Sequence, residues 1–331
     1  MKAISIKSIG KPDVLNINDI PKPKIMENDE VLVKLKAAGV NPIDTKLRSG
    51  AYPIDNFPAV LGCDGAGIVE EIGSKVDKVK KGDSVFFFHG GIGGVQGNYA
   101  QYKVLNQDFI AHKPKSISFI EAAAVPLVSI TAWEALFMHA NIKKDDKLFI
   151  NAGAGGVGHI AIQLAKYRQA IVHTSVSSDK KKKVVKNFGA DHIFNYKTED
   201  IKSRILKLTN NEGVDVALDN VGNHEIEDII SITKNYGHMV TLLQPNNKID
   251  WSLARFKNLS LSFEVMLTPQ LYNLKNKQIE QTRILEKITN LIDADNLKIH
   301  ISEVMQLEDA AIAHKMIEDG HTTGKIVLNI E

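Results

Sequence analysis

Apolar and polar residues alternate with a two-residue period over the first third of the chain. MKAISIKSIG (1–10), EVLVKLKAAGV (30–40), DSVFFF (83–88) and GNYAQYKVL (97–105) all read as strands, and GAGIVEEIG (65–73) sets β-branched residues between glycines. Pro21, Pro23, Pro42, Pro53, Pro58 and Gly82 separate these runs, which predicts an irregular, barrel-like β domain over about the first 120 residues. The rhythm then changes. SFIEAAAVPLVSITAWEALFMHA (118–140) has helical spacing interrupted by Pro126. From KLFIN (147–151) onward strands and helices take turns: AIVHTSV (170–176), a helix running to Phe188 and stopped by Gly189, DHIF, DIKSRILKLT, VDVALDNV, HEIEDIISIT and HMVTLL. That alternation predicts an α/β doubly wound parallel sheet. NKQIEQTRILEKITNLIDA (276–294) is a long amphipathic helix, and LEDAAIAHKMIEDG and TGKIVLNI supply a last helix and a closing strand.

Composition narrows the classes. A chain of 331 residues, 44% hydrophobic and 24% charged, is expected to form two domains with ordinary cores. Its 41 basic and 39 acidic residues leave a net charge of +2, which argues against nucleic acid or a membrane surface as partner. The single cysteine, Cys63, excludes an internal disulfide framework and fits a reducing, cytoplasmic setting. No run of about 18 apolar residues is present, so no membrane span is expected.

Two glycine-rich loops differ in the element that each one opens. NAGAGGVGHIAIQLAK (151–166) sits between the apolar strand Leu148-Phe149-Ile150 and a helix whose apolar positions Val157, Ile160, Ala161 and Leu164 share one face. Gly153, Gly155 and Gly158 fit G-x-G-x-x-G: they allow a tight turn, bring backbone N–H groups to a pyrophosphate and let helix and strand pack closely. Gly156 and Val157 begin the helix whose positive dipole end faces the phosphates. HGGIGGVQG (89–97) leads into a strand-like segment, so no helix dipole serves it. The second strand of the parallel sheet ends in Thr174-Ser175-Val176-Ser177-Ser178, without a carboxylate before Asp179 and with Lys180 and Lys181 just beyond. Hydroxyls and cations, with Ser175, Ser177 and Lys181 as contacts, favour the 2′-phosphate of NADP(H) over the bare ribose of NAD.

The segments AGVNPIDTKLRSGAYP (38–53), LGCDGAGIVEEIGSKV, EAAAVPLVSITAWEAL (121–136), NAGAGGVG and GHTTGKIVL (320–328) stand in the order seen in the medium-chain dehydrogenase/reductase superfamily. The chain resembles its zinc-independent quinone oxidoreductase branch, and is similar also to a subgroup labelled zinc-type alcohol dehydrogenase-like. The resemblance implies a GroES-like β-barrel catalytic domain (1–125 and 267–331) and a Rossmann NADP-binding domain (126–266), with nicotinamide and substrate in the cleft between them. It places Thr131, Asn220, Leu242, Leu243 and Met266 at the cofactor, and Asn41 and Tyr52 as hydrogen-bond donors to the substrate oxygen. Zinc members hold their catalytic metal at positions that correspond here to Asn41, Cys63 and the stretch VPLVS (125–129). One thiol does not make such a site, so no metal is expected.

Without a Lewis acid, oxidising an unactivated alcohol is difficult, whereas reducing an electrophilic acceptor needs mainly positioning and a hydrogen bond to the oxygen that gains charge. The expectation is an NADPH-dependent reductase of a quinone or α,β-unsaturated carbonyl. Lys46 stands where some quinone reductases carry a tyrosine, and Asp44 is expected to tie its loop together. The alternatives are a zinc-dependent alcohol dehydrogenase and a non-catalytic NADPH-binding sensor or RNA-binding protein. KNLSLSFE (257–264) reads as an edge strand of the parallel sheet, able to pair with its copy in a homodimer.

Overall fold

The computed structural model describes residues 1–54, 56–223, 225–320 and 322–330. His224 and His321, which belong to two of the stretches read above, lie outside them. The chain divides into two compact units: residues 1–130, 267–295 and 299–331 form the first, and 131–266 with 296–298 the second.

The first unit begins with β1 (Lys2–Ile6), which pairs antiparallel with β2 (Asn16–Asp19) and β4 (Ala59–Val60). Its centre is β3 (Glu30–Val40), whose Val31, Val33 and Leu35 are fully buried. Antiparallel partners of β3 are β5 (Asp64–Ile72) and β7 (Tyr102–Asn106). β6 (Ser84–Phe88) and β8 (Ala111–His112) extend the sheet beyond β5. The stretch 97–105 is a strand only from Tyr102. Before it, Gly97 N and Asn98 N donate to Val60 O and Gly62 O, which commits that backbone to a loop.

Between β3 and β4 lies α1 (Pro42–Ser49), a helix the two-residue alternation conceals. Asn41 caps it in extended backbone, Pro42 opens it, and Gly50 at φ 86° ends it in the left-handed region. Pro126 splits 118–140, as the spacing predicts, into α2 (Phe119–Ala123) and α3 (Pro126–Trp133), and a π-helical turn (Glu134–His139) comes next.

The second unit is a six-stranded parallel sheet. Its strands are β9 (Lys147–Ile150), β10 (Ile171–Val176), β11 (His192–Asn195), β12 (Val214–Asp219), β13 (Thr233–Thr241) and β14 (Ser260–Phe263), in spatial order β11-β10-β9-β12-β13-β14. That is the doubly wound 3-2-1-4-5-6 arrangement, whose order reverses between β9 and β12. α4 (Gly156–Tyr167) crosses from β9 to β10, and α5 (Asp179–Asn187) from β10 to β11. Phe149, Phe194, Ile205, Ala217, Ile229 and Met239 meet in one of its apolar clusters.

The chain then returns to the first unit. The helix Lys275–Asp293 covers the amphipathic stretch read at 276–294. β15 (Ile301–Gln306) and β16 (Lys325–Asn329) close the first sheet, with β16 antiparallel to β3 in the register Ile326–Val40.

Candidate active site

Polar side chains cluster among apolar surroundings in each unit. In the second unit the glycine turn joins β9 to α4. Gly153 N donates to Ser175 O (3.1 Å), and a Cβ on Gly153 would lie 1.9 Å from Thr174 Oγ1. One on Gly158 would lie 2.5 Å from Ala152 O, whereas Gly155 has only Ala152 O at 3.2 Å and is otherwise open. α4 starts at Gly156 and Val157, with Gly155 as its N-cap and no side chain capping it. Its first N–H groups therefore point outward without intrahelical partners. HGGIGGVQG differs as expected: four of its glycines have positive φ, and it opens no helix.

At the end of β10, Ser175 is buried and Ser177 half-buried. Ser178 Oγ accepts from Lys181 N (3.3 Å) and caps α5, leaving Lys181 half-buried on its first turn. Burial pushes the Lys181 ammonium pKa down, with the nearby Lys197 charge acting the same way. Thr131, on α3, and Met266, beyond β14, are both buried. Leu242 and Leu243 come after β13 and are half-buried.

Around Asn220 the structure gathers residues that no sequence motif marks. Asn220 N donates to Asn151 Oδ1 (2.6 Å) and Asn220 Nδ2 to Asn151 O (2.8 Å). Asn151 Nδ2 donates to Asp219 Oδ1 (2.7 Å), and Thr241 Oγ1 to Asp219 Oδ2 (2.8 Å). Asn151, Asp219 and Thr241 stand at or just past the carboxyl ends of β9, β12 and β13. The signal available in the sequence is a polar residue closing each apolar run: FIN, ALDN and MVT.

The cluster of the first unit surrounds Asn41, which is fully buried. Its Nδ2 donates to Asp64 Oδ2 (2.9 Å), and its Oδ1 accepts from Lys325 Nζ. Lys325 Nζ also donates to Val40 O (3.0 Å) and lies 3.6 Å from Asp64 Oδ2. Leu127 N donates to Asp64 Oδ1 (2.9 Å). Asp44 ties its loop as the sequence suggests: its carboxylate accepts from Asn41 N (2.8 Å), Tyr99 OH (3.1 Å) and Cys63 Sγ (3.5 Å). Burial raises the Asp44 pKa to about 6, with the Asp64 charge adding to it and the Asn41 N–H opposing. Tyr52, half-buried, lies just past the Gly50 cap of α1, and Lys46 O accepts its N–H at 3.4 Å. A donor to substrate at Asn41 is left with one amide hydrogen, because the rest of the side chain is committed to Asp64 and Lys325.

Two family models match the chain: the alcohol dehydrogenase GroES-like domain over residues 27–115, and the zinc-binding dehydrogenase over residues 188–328. A zinc-type alcohol dehydrogenase-like protein of Staphylococcus epidermidis is 31% identical over 346 residues, with 100% of both chains covered. The chain belongs to the medium-chain dehydrogenase/reductase superfamily. Within that superfamily it is also 31% identical to a quinone oxidoreductase of Pseudomonas aeruginosa, over 99% of each chain. Among solved structures, Escherichia coli quinone oxidoreductase complexed with NADPH shares 29% identity with a TM-score of 0.87 and 100% of each chain covered. An NAD-dependent alcohol dehydrogenase shares 29% identity with a TM-score of 0.91 over the same extent.

Two groups tied to this superfamily can be set against the residues present. The glycine turn and the uncapped α4 N-terminus fit a dinucleotide pyrophosphate: side chains at 153 and 158 would collide with backbone or Thr174, while the space at 155 is open. Asn220 Oδ1 fits too, as a buried acceptor with no hydrogen-bond partner among the described residues. A zinc ion fits poorly. At the positions matching metal ligands in zinc members, Asn41 is engaged by a lysine, and burial with the Asp44 and Asp64 charges pushes the Cys63 thiol pKa well up. Zinc ligation needs a thiolate and no competing cation. Among the described residues no three His, Cys, Asp or Glu side chains form a metal-holding group.

Proposed function

We propose that this protein is an NADPH-dependent oxidoreductase that reduces a quinone or an α,β-unsaturated carbonyl without a metal. Residues 126–266 form the cofactor domain in this reading, and 1–125 with 267–331 the catalytic one. The observation that carries it is the end of β10, where Ser175, Ser177 and Lys181 offer hydroxyls and a cation and no carboxylate precedes Asp179. A 2′-phosphate gains charge-assisted hydrogen bonds there, and the strand end itself carries no carboxylate to repel it. Gly153, Gly155, Gly156, Val157 and Gly158 hold the pyrophosphate, while Thr131, Asn220, Leu242, Leu243 and Met266 complete the cofactor site.

When bound, the reduced nicotinamide supplies the hydride. The chain's task is then to hold the acceptor and stabilise the oxygen that gains charge. Tyr52 donates from its phenol, and Asn41 contributes its remaining amide hydrogen while anchoring α1. The Lys325 ammonium, paired with Asp64 and bonded to Asn41, supports a metal-free mechanism, since a second cation in that shell would be repelled.

We propose further that the protein is a homodimer joined along β14, an edge strand on which Leu261 (39%) and Phe263 (54%) remain exposed. A cytoplasmic setting accords with its lone, buried cysteine. Among the described residues no helix is long and apolar enough to cross a membrane.

The deciding experiment is a cofactor-oxidation screen over quinones, enones and aldehydes, with NADPH and NADH in parallel and zinc measured in the purified protein. Turnover of quinones or enones with NADPH preferred and zinc substoichiometric is the expected result. Faster turnover with NADH, or activity lost on chelation and restored by zinc, would refute it.

A further inference from the structure

At the far end of the parallel sheet a buried carboxyl group is left short of a donor. Glu264 follows β14, and its N–H donates to Thr241 O at 3.0 Å, which continues the strand pairing by one residue. Only 4% of Glu264 is exposed. Its Oε2 lies 2.8 Å from His139 Nε2, and among the described residues no donor reaches Oε1. The Glu134 carboxyl lies within hydrogen-bonding reach of the same side chain.

The π-helical turn brings these groups together. Ala140 N donates to Ala135 O at 3.0 Å, the five-residue bond of a π winding, and Glu134 and His139 are also five apart. Both reach Glu264, and π-turns are frequent at functional sites. From β13, His238 Nε2 lies 2.9 Å from the Oγ of Ser262, two positions before Glu264, and the His139 charge bears on that ring. The titratable groups around Glu264 are thus Glu134 and His139 from the turn and His238 from the sheet.

Two ionised carboxylates cannot bond to each other, because each is an acceptor only. A proton between them supplies the missing donor and removes the repulsion of like charges. A proton placed on His139 instead would leave Oε1 and Glu134 as two facing acceptors. A metal ion could also bridge them, but among the described residues no three His, Cys, Asp or Glu side chains form a group able to hold one. Burial raises the Glu264 pKa and the Glu134 charge adds to it. A raised carboxyl pKa keeps the proton through neutral pH and releases it only on the alkaline side.

We propose that Glu264 and Glu134 share one proton, and that the pair is a latch positioning the two cofactor-lining residues beside it. Thr131 stands three residues before Glu134, on the helix that runs into the π turn, and Met266 two residues after Glu264. Both are buried. Joining the two carboxyls fixes one segment against the other, so Glu134 and Glu264 act through Thr131 and Met266 as positioning residues. That role rests on the dinucleotide reading of the preceding section, whereas the shared proton does not.

The test has two arms, both on the full-length protein. Infrared spectra at about pH 8, above the range in which Asp44 titrates, are expected to show a protonated-carboxyl C=O band in wild type that Glu264→Gln lacks. Calorimetry with NADPH supplies the second arm. The amide of Glu264→Gln can donate to Glu134 and accept from His139, so this variant should bind within about twofold of wild type near neutral pH. Glu264→Ala removes both bonds and should lose about tenfold, the value of one good hydrogen bond. On the alkaline side wild-type affinity should fall further than that of Glu264→Gln. A band that persists in Glu264→Gln would overturn the shared proton. Undiminished binding by Glu264→Ala, or the same alkaline loss in wild type and Glu264→Gln, would overturn the positioning role. If Glu264→Ala fails to fold, the near-isosteric Glu264→Gln still decides both questions. Wild-type protein that shows the band but binds no NADPH would bring down the cofactor reading, and the positioning role with it.

Discussion

The Lys325 ammonium and the Asp64 carboxylate lie 3.6 Å apart, with side chains only 3% and 0% exposed. Burial pushes the Asp64 pKa up and the Lys325 pKa down, each against its own charge, and the mutual attraction opposes both shifts. Such a pair contributes little net stability while intact, but removing one partner strands the other. Lys325→Met is therefore expected to cost about 3–5 kcal/mol in denaturant unfolding. Adding Asp64→Asn should recover a substantial part of it. A single variant within about 1 kcal/mol of wild type would contradict the pairing.

Asp44 makes stability fall as pH rises. Its pKa climbs from 3.8 to about 6 on folding, so the folded chain holds this proton more tightly than the unfolded one. The associated stabilisation is complete below about pH 4 and is lost as pH passes through about 6, amounting to about 3 kcal/mol at most. Asp44→Asn should flatten this segment of the stability–pH curve. An identical slope in variant and wild type would assign it to other groups.

Gly153→Ala is expected to destabilise by about 1–3 kcal/mol, because its Cβ would stand 1.9 Å from Thr174 Oγ1. Thr174→Ala in the same chain removes the clashing oxygen and should restore part of the loss. Additive effects in thermal melts of the double variant would mean the contact is not the cause.

Lys181→Glu places an anion where the 2′-phosphate is proposed to sit. NADPH should weaken by about tenfold or more, and NADH, which lacks that phosphate, should be nearly unaffected. Parallel losses for both cofactors would remove Lys181 from the site.

Lysines at Leu261 and Phe263 should abolish pairing along β14, since an edge strand is readily blocked by charge. Sedimentation velocity is expected to show a dimer for wild type and a monomer for the double variant. A monomeric wild type would end that proposal.

Periodicity and local chemistry make much of the architecture legible. The strand–glycine–helix succession from Leu148 to Leu164 needs only neighbours in sequence, and the alternation from Lys147 to Leu243 yields the parallel sheet. α1 escapes that reading: its end signals, Asn41-Pro42 and Gly50, are present, but the strand-like run before it masks the helix. The long-range polar partnerships are not. Nothing near Lys325 in TGKIVLNI distinguishes it from a solvated strand residue, and its partners Asn41 and Asp64 stand more than 260 positions earlier. Asp219 is hidden similarly, because its donors Asn151 and Thr241 lie on separate strands.

The register of β16 against β3 bears on how the chain is born. Val40 is made early, but its neighbour Ile326 only much later. Residues 131–266, one nearly unbroken stretch, have their whole parallel sheet available well before that. The first sheet must wait with β3 open along one side until β16 has been made, since contacts so distant in sequence close last. Truncation ahead of Lys325 should thus leave a folded dinucleotide-type unit attached to an aggregation-prone half-sheet.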